Sequence, residues 1–431
     1  MSYNGLAEAR RRLRLDAGST AGVVRGPPDS CWLPTTCYKT ERLTKNFIDD
    51  MNYYEASLAA YKKNHGVYTT ASKMPLESKD DLSTAYTPGI AEPCRQIAAD
   101  PSLVYELTMK GNSVVVVSDG SAILGLGNIG PLAGLPVMEG KSVLYKKYAN
   151  VDAIPLVLAS QEVDEIIEAI RMIAPTFGGI HLEDIAAPAC FEVERRLSAM
   201  LDIPVMHDDQ HATAIVTLAG LINALKVVGK NIGEVKIVIN GAGAAGLAIV
   251  KLLLAAGAKH QVVLDSKGII AVGREGMNSD KDEFAKIINV EGRTGTLAEA
   301  MAGADVFIGV SKPGLVSVEM VKSMNEKSIV FALANPEPEI LPSLAAEGGA
   351  AVIATGRSDF PNQINNVLVF PGLFRGLLDS RVKTLTDEMR LAAAQAIAEL
   401  VQNPTADKIV PAITEVNPAP FVAAAIAKLK V

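Results

Sequence analysis

Cysteine is scarce in this sequence, and the cysteines present are not spaced for metal binding or cross-linking. Cys31, Cys37, Cys94 and Cys190 contain no Cys-x-x-Cys pair, so a structural zinc site is not indicated. Four cysteines in 431 residues also form no disulfide framework. This usage is typical of a reducing compartment, and we expect a cytoplasmic protein.

An excess of positive charge and a long apolar run are lacking as well. The formal net charge is -7, which argues against a nucleic-acid backbone as the main partner. The apolar run 212–225 is interrupted by Thr and Asn and is too short to span a bilayer. With 49% hydrophobic and 21% charged residues, the composition predicts a soluble α/β protein, with neither nucleic acid nor membrane as partner.

The first 54 residues differ from the rest. Four arginines lie between positions 10 and 14, followed by a stretch rich in Gly, Pro, Ser and Thr. Arginine-rich leaders are typical of organelle targeting, but such peptides are poor in acids, and Glu8 and Asp16 lie here. We therefore predict a disordered or non-native extension over 1–54, in preference to a targeting peptide.

Two acidic pairs follow short apolar runs that read as buried strands. They are Glu183-Asp184 and Asp208-Asp209. In open α/β sheets, functional groups collect at the carboxyl ends of strands, so the two pairs could converge. Crowded carboxylates repel one another, and a hard cation such as Mg²⁺ or Mn²⁺ removes that cost while taking oxygen ligands.

Two other interpretations of these acids remain open. Acids are common at solvated strand ends, where they act as ordinary caps. His207 and His211 are four residues apart, a spacing that also occurs in helical zinc sites. Zinc is disfavoured because His207 belongs to the predicted strand and no cysteine lies close by.

A glycine-rich loop between a strand and a helix carries a complete dinucleotide fingerprint. The strand 236–240 precedes the loop, the helix 247–256 follows it, and the next strand, 261–264, is followed by Asp265. Glycines permit close approach of a pyrophosphate to the helix N-terminus, and the acid binds the ribose. The loop residues are Gly241, Gly243, Ala244, Ala245 and Gly246.

The cofactor preference stays open between NAD and NADP. Asp265 favours NAD because its charge would repel a 2′-phosphate. Ser266 and Lys267 follow directly and could bind that phosphate, so we expect NADP to be usable. An earlier glycine pattern, Gly125-x-Gly127-x-x-Gly130, lacks the strand, helix and acid of a dinucleotide site.

Lys141 and Tyr86 are candidates for proton transfer. Lys141 follows Pro136 in what reads as the first turn of a helix, where the macrodipole and burial would lower its pKa and produce a neutral base. Tyr86 precedes a Pro-Gly turn on irregular backbone, where functional side chains are frequent. An exposed lysine and a tyrosine packed under a loop are the ordinary alternatives.

Two asparagines follow the predicted strands of the second half. Asn335 comes after a strand at 328–334, and Asn366 lies beyond another at 351–355. Amides at strand ends facing a cofactor suit carboxylate recognition, although turn formation is their commoner use.

At these motifs the sequence resembles the malic enzymes, particularly their short, bacterial-type subunits, over about 55–431. Several separate motifs match in order, which is more specific than one glycine loop. They are Tyr86-Thr87-Pro88-Gly89, Ile123-Leu124-Gly125-Leu126-Gly127, Glu139-Gly140-Lys141, Leu182-Glu183-Asp184, His207-Asp208-Asp209-Gln210, the 241–246 loop and 365–372.

The resemblance implies oxidative decarboxylation of malate to pyruvate and CO₂ with reduction of NAD or NADP. It assigns Lys141 as general base and Tyr86 as the acid that protonates the enol, with Asp208 beside the base. The cation, Mg²⁺ or Mn²⁺, is assigned to Glu183, Asp184 and Asp209, the substrate to Tyr86, Lys141, Asn335 and Asn366, and Asn335 is also expected near the cofactor. A homodimer or higher homo-oligomer is implied as well.

The fold class expected is α/β: a Rossmann-type, doubly wound NAD(P)-binding domain plus an α/β catalytic domain completed by C-terminal helices. We place the N-terminal catalytic domain at 55–211, the NAD(P)-binding domain at 212–372, and helices packing back on the catalytic domain at 373–431.

One position departs from the pattern. Larger malic enzymes carry a substrate-binding arginine just before Ile-Leu-Gly-Leu-Gly, where this chain has Ala122. Carboxylate binding must then depend on the asparagines, the cation and backbone N–H groups, and the 125–130 glycine loop is the hypothesised cradle.

Three rivals remain. A malolactic-type enzyme would convert malate to lactate with tightly bound NAD. A non-catalytic NAD(P)-binding regulatory protein would not need the full set of Tyr86, Lys141, Glu183, Asp184 and Asp209. A different amino- or hydroxy-acid dehydrogenase would not require the convergent carboxylates.

Overall fold

A computed structural model describes residues 53–123, 125–277, 279–289 and 292–429. The predicted extension therefore lies outside the described residues except at its last two positions, and so does Leu124 of the Ile-Leu-Gly-Leu-Gly motif. The chain divides into two units, 1–57 and 58–431. Of the first unit, the described part is the beginning of one helix.

The described strands and helices alternate along most of the chain. The strands are β1 Ser113–Ser118, β2 Asp152–Val157, β3 Gly179–Leu182, β4 Val205–His207, β5 Lys236–Asn240, β6 His260–Asp265, β7 Gly268–Ile269, β8 Val306–Gly309, β9 Ile329–Ala332 and β10 Val352–Thr355.

The helices are α1 Tyr53–Asn64, α2 Lys79–Ala85, α3 Ala91–Ala99, α4 Val104–Leu107, α5 Pro131–Ala149, α6 Val163–Ile173, α7 Ala189–Met200, α8 Asp208–Val228, α9 Ala244–Ala255, α10 Ser279–Ile288, α11 Leu297–Met301, α12 Val318–Lys322, α13 Pro342–Glu347, α14 Phe370–Ser380, α15 Asp387–Glu399 and α16 Ala419–Ala427, with 3₁₀ turns at Pro101–Leu103, Met109–Asn112, Ala174–Thr176 and Asn366–Leu368.

The first sheet has four parallel strands in the order β2-β1-β3-β4. Strands buried on both faces read as continuous apolar runs, and Val114 to Val117 in β1 are all fully buried. Leu182 of β3 lies opposite His207 of β4. The chain segments that leave these two strands therefore begin at neighbouring points of one sheet edge.

The second sheet has the order β10-β9-β8-β5-β6-β7, parallel except for β7. The strand order reverses beside β5, which is the switch point where open α/β sheets bind ligands. The predicted strands 236–240 and 261–264 coincide with β5 and with the interior of β6. The predicted α/β fold class, with a Rossmann-type domain, is confirmed.

Helix α8 is the central helix of the larger core. It has 21 residues and, in the described part of the chain, is the one helix long and apolar enough to cross a membrane, but 72% of that apolar window is buried inside the protein. It is longer than the apolar run in the sequence because it begins at Asp208, directly after β4. Its length and hydropathy follow from burial in the core.

Helices α14 and α16 pack closely because α14 carries glycines on the shared face. A Cβ at Gly376 would come to 2.8 Å from the Cβ of Ile426. The other side of α14 contacts the first sheet, where a Cβ on Gly179 of β3 would meet the Phe374 ring at 2.8 Å. Helix α14 therefore lies between the first sheet and α16.

Candidate active site

The two acidic pairs meet at the carboxyl edge of the first sheet. Glu183 and Asp184 follow β3 directly, and Asp208 and Asp209 open α8 directly after β4. Asp184 has a φ of 54°, a left-handed conformation that Asp tolerates better than most residues. Its backbone N–H donates to Oδ2 of Asp209 at 3.1 Å. The structure thus brings the predicted carboxylates together.

Three of these carboxylates fit a divalent cation. One oxygen each of Glu183, Asp184 and Asp209 lie within 4.8 Å of one another. Burial and the neighbouring Glu183 carboxylate raise the pKa of Asp209, so the cluster carries repulsion that a bound cation would relieve. An all-carboxylate donor set suits hard cations such as Mg²⁺ or Mn²⁺.

The two histidines that suggested zinc point to different carboxylates. Nε2 of His207 lies 3.7 Å from Oδ2 of Asp209, whereas Nε2 of His211 pairs with Glu194 at 2.8 Å. His207 is the last residue of β4, as expected. Burial lowers the pKa of His207.

Lys141 lies at the centre of the cluster. Its Nζ is 2.5 Å from Oδ2 of Asp208 and 3.0 Å from Oε1 of Glu183. It also lies 4.7 Å from the ring centroid of Phe370. Lys141, the candidate base, therefore contacts both a predicted metal ligand, Glu183, and the acid predicted to lie beside it, Asp208.

The predicted reason for a neutral Lys141 is wrong. Helix α5 begins at Pro131, so Lys141 lies near the middle of the helix and not in its first turn. Burial alone lowers the pKa of Lys141, but the carboxylates of Asp208 and Glu183 outweigh burial and raise the pKa. Without a cation bound, the lysine is held as an ammonium ion.

Asp208 is fully buried and connects Lys141 to an amide. Nδ2 of Asn366 donates to Oδ2 of Asp208 at 2.9 Å, and the hydroxyl of Thr213 donates to Oδ1 of Asn366 at 3.1 Å. Burial alone raises the pKa of Asp208, but the Lys141 ammonium outweighs it and lowers the pKa. Asn366 thus contacts the same carboxylate as Lys141.

Tyr86 lies outside this cluster in the described chain. Tyr86 is the C-cap residue of α2 and is 62% exposed. Within the described residues no hydrogen bond links Tyr86 to Lys141, Glu183 or Asp208. The single chain therefore does not bring this predicted acid to the base.

The second glycine loop has the geometry of a pyrophosphate site. Gly241 has a φ of 126°, and a Cβ at Gly246 would lie 1.7 Å from the Gly241 carbonyl oxygen, so both positions require glycine. Gly243 is the N-cap of α9 and has open space where a Cβ would point. Ala244 and Ala245 form the first turn of α9.

Asp265 ends β6 and is bound by an arginine that sequence analysis missed. Nη1 and Nη2 of Arg274 donate to the two carboxylate oxygens of Asp265 at 2.8 and 2.5 Å. The Lys267 N–H donates to the same carboxylate at 2.9 Å. The Lys267 amine lies over Gly276, where a Cβ would approach it to 2.6 Å.

Several backbone N–H groups in and just before the first glycine loop already donate hydrogen bonds within the protein. The N–H of Ile123 donates to the Gly127 carbonyl, the N–H of Leu126 donates to the Ile123 carbonyl, and the N–H of Ala122 donates to the Asp184 carbonyl. A Cβ at Gly125 would lie 2.3 Å from the Asn335 carbonyl. The loop therefore lies between the acidic cluster and the second sheet.

Tyr145 and His181 were also missed by sequence analysis. The Tyr145 hydroxyl and Nδ1 of His181 are 2.8 Å apart, and Nε2 of His181 lies 2.6 Å from Oε2 of Glu183. Their spacing could have indicated them. Tyr145 is four residues beyond Lys141, on the same face of a helix, and His181 is two residues before Glu183, on the same face of a strand.

A Rossmann-type sheet with a pyrophosphate loop, beside a partly buried lysine and a carboxylate cluster, defines the class as nicotinamide-dependent dehydrogenases with a divalent-cation site. Comparison with known proteins identifies the family. Residues 211–431 match the malic enzyme NAD binding domain, and residues 63–162 and 159–198 match the malic enzyme N-terminal domain. The chain belongs to the malic enzyme family.

Individual relatives agree. The chain is 54% identical over 381 residues, 88% of this chain and 93% of the relative, to the bifunctional malic/malolactic enzyme of Bacillus subtilis. It is 55% identical over 336 residues, 78% of this chain and 70% of the relative, to the NAD-dependent malic enzyme of Geobacillus stearothermophilus. The malic enzyme structure from Pyrococcus horikoshii superposes with a TM-score of 0.82 at 50% identity, covering 87% of this chain and 90% of that one.

Proposed function

We infer that this protein catalyses the oxidative decarboxylation of L-malate to pyruvate and CO₂, with reduction of NAD or NADP and dependence on Mg²⁺ or Mn²⁺. The observation that carries this conclusion is the contact of Lys141 with both Asp208 and Glu183 at one sheet edge. A base and a cation site are thereby within reach of one small substrate.

The proposed chemistry begins at the substrate C2 hydroxyl. Lys141, once it has released to solvent the proton that Asp208 and Glu183 now stabilise, would accept the hydroxyl proton. A bound nicotinamide would accept the hydride from C2, and a divalent cation held by Glu183, Asp184 and Asp209 would act as a Lewis acid toward the C2 oxygen. Tyr86 would then protonate C3 after CO₂ leaves.

Substrate binding is proposed to use amides and backbone groups. Asn366, held between Asp208 and Thr213, would present its amide to a substrate carboxylate. The backbone cradle hypothesised for the first glycine loop is limited to N–H groups that the loop does not itself use, with Gly125 and Gly127 the candidates. Asn335 lies against that loop and would contact substrate and nicotinamide together.

Cofactor binding is proposed to use Gly241, Gly243, Ala244, Ala245 and Gly246 for the pyrophosphate. The adenosine ribose would lie at Asp265, Ser266 and Lys267. Arg274 neutralises Asp265 through both oxygens, which would weaken the repulsion of a 2′-phosphate. This pairing supports use of NADP as well as NAD.

The proposed domain boundaries follow the two sheets. The first sheet falls within 55–211 and the second within 212–372. Helix α14 begins at Phe370, continues into 373–431 and contacts the first sheet through Phe374. We also propose a cytoplasmic protein that acts on a small molecule.

A homo-oligomer is proposed because part of the site is missing from one chain. Helices α2 and α3 contain no buried residue, and Leu82, Tyr86 and Ile90 are exposed among them. Apolar side chains exposed together mark interaction surfaces. A second copy of the chain seated on this surface would cover it and could receive Tyr86 into its own site.

The reaction is tested by incubating the protein with L-malate and Mn²⁺, with NAD and NADP in parallel, while reduced cofactor, pyruvate and lactate are measured. Matched pyruvate and reduced cofactor are expected. Lactate without reduced cofactor would support malolactic conversion, the second candidate, which the likeness to a bifunctional malic/malolactic enzyme favours.

The matched control is Lys141→Ala. Removal of the amine should abolish hydride transfer while cofactor binding, followed by fluorescence of the reduced cofactor, is retained because Lys141 lies outside the glycine loop. Turnover of Lys141→Ala at the wild-type rate would contradict the assignment of the base.

A further inference from the structure

Helix α5 and strand β3 are joined by two parallel side-chain contacts. Lys141 and Tyr145 lie one turn apart on α5, about 6 Å along the helix axis. His181 lies in β3 and Glu183 directly follows it. The two residues are on the same side of the chain, about 6.6 Å apart along it. Because these spacings match, Lys141 contacts Glu183 at 3.0 Å and Tyr145 contacts His181 at 2.8 Å.

The two contacts are linked through the histidine. Nε2 of His181 lies 2.6 Å from Oε2 of Glu183, while Oε1 of Glu183 faces Lys141. A carboxylate oxygen accepts hydrogen bonds, so Nε2 of His181 donates to Glu183 while Nδ1 contacts the Tyr145 hydroxyl. Both oxygens of Glu183 therefore have defined and different partners.

The histidine and tyrosine are enclosed by aromatic rings. His181 and Tyr145 are fully buried. The ring centroids of Phe370 and Phe374 lie 4.8 and 5.8 Å from that of Tyr145 and 5.7 and 5.9 Å from that of His181. Such packing fixes the orientation of both rings, and with them the direction of the hydrogen bond to Glu183.

We propose that Tyr145 and His181 are positioning residues that fix the carboxylate plane of Glu183 and so set the affinity of the cation site. The inference rests on the proposed metal dependence. Hydrogen-bonded partners behind a metal ligand orient it, and their loss typically weakens metal binding. A Glu183 without His181 would rotate freely or turn toward Lys141, and the three-carboxylate set would lose its geometry.

The test is Mn²⁺ titration of the substrate-free protein, with free Mn²⁺ followed by electron paramagnetic resonance. His181→Ala should weaken Mn²⁺ binding about 10- to 100-fold. Tyr145→Phe removes only the hydroxyl and should weaken it about fivefold. His181→Gln keeps one donor toward Glu183 and should recover part of the affinity.

The matched control is His211→Ala. His211 also pairs through Nε2 with a carboxylate, that of Glu194, which does not belong to the proposed cation set. Its Mn²⁺ affinity should stay within about twofold of the wild type. The thermal midpoint of each metal-free variant shows that it is folded.

The outcomes separate this inference from the proposed function. Unchanged Mn²⁺ affinity in folded Tyr145→Phe and His181→Ala would overturn the positioning role while leaving the metal site intact. No Mn²⁺ binding by the wild type would overturn both. An equal loss of affinity in His211→Ala would show a general effect of removing a carboxylate-bound histidine and would also overturn the inference.

Discussion

At the scale of single residues, charges in this protein act in pairs. Lys141 is held by two carboxylates, and Asp265 is held by both terminal nitrogens of Arg274. The chemical behaviour of each group depends on its partner as much as on its own residue type. A prediction for one residue must therefore include the partner.

Arg274→Ala should change cofactor preference. Without the guanidinium, Asp265 loses the cation that binds both of its carboxylate oxygens. Its repulsion of the 2′-phosphate should therefore increase, and kcat/KM for NADP should fall at least about tenfold relative to that for NAD. The measurement is the ratio of the two kcat/KM values. Arg171→Ala removes a similar two-contact pair, with Glu168 on α6, and should leave the ratio unchanged.

Arg274 also donates to the carbonyl oxygens of Gly268 and Ile269 at 2.9 and 3.3 Å. A merely structural role in this turn would lower the kcat/KM values for both cofactors alike. A constant ratio in Arg274→Ala would therefore contradict its role in specificity.

At the scale of elements, glycine sets how closely helices approach. A Cβ at Gly376 on α14 would lie 2.8 Å from the Ile426 Cβ and 3.0 Å from the Ala423 Cα. Gly140 on α5 has open space at the corresponding point. Close packing therefore requires glycine at position 376, whereas position 140 has room for a side chain.

Gly376→Ala should lower the free energy of unfolding by about 1–3 kcal/mol, because α14 and α16 must separate to admit the methyl group. Gly140→Ala should raise it by about 0.5–1 kcal/mol through reduced backbone entropy of the unfolded chain. Urea unfolding of the ligand-free protein measures both. Equal changes in the two variants would show that close packing of α14 on α16 does not limit stability.

Element positions were largely predictable from local pattern. Strands β1, β5, β6 and β10 coincide with apolar runs in the sequence. The sequence pattern predicts a helix start at Pro136, whereas α5 begins at Pro131, directly after Gly130. Proline favours the first helical position, and the earlier of two prolines five residues apart has that position.

At the scale of the whole molecule, the proposed acid and base are expected to act across two chains. Tyr86→Phe and Lys141→Ala should each be nearly inactive as pure oligomers. When the two are unfolded together and reassembled, mixed dimers contain one site with both groups intact, so activity should recover to about a quarter of wild type. Steady-state reduction of cofactor with L-malate measures the recovery.

If Tyr86 served the lysine of its own chain, every site in the mixture would lack one group, and no recovery would follow. Reassembled wild-type protein, treated identically, sets the maximum recoverable activity. A monomeric wild type in sedimentation would contradict the oligomer itself.

Local sequence pattern was enough to predict which residue types follow the strands and in which order the motifs occur, because periodicity and turn chemistry are local. It therefore predicted the fold class and the convergence of the acidic pairs. The family resemblance already implied Asp208 beside Lys141. Packing of the folded chain added the contact of Lys141 with Glu183, the pairing of Tyr145 with His181, and the exposure of Tyr86. The contacts of Lys141 and Tyr145 depend on how α5, β3 and α8 pack. The ionisation of a side chain such as Lys141 and the groups it can contact are set by partners that are distant in sequence.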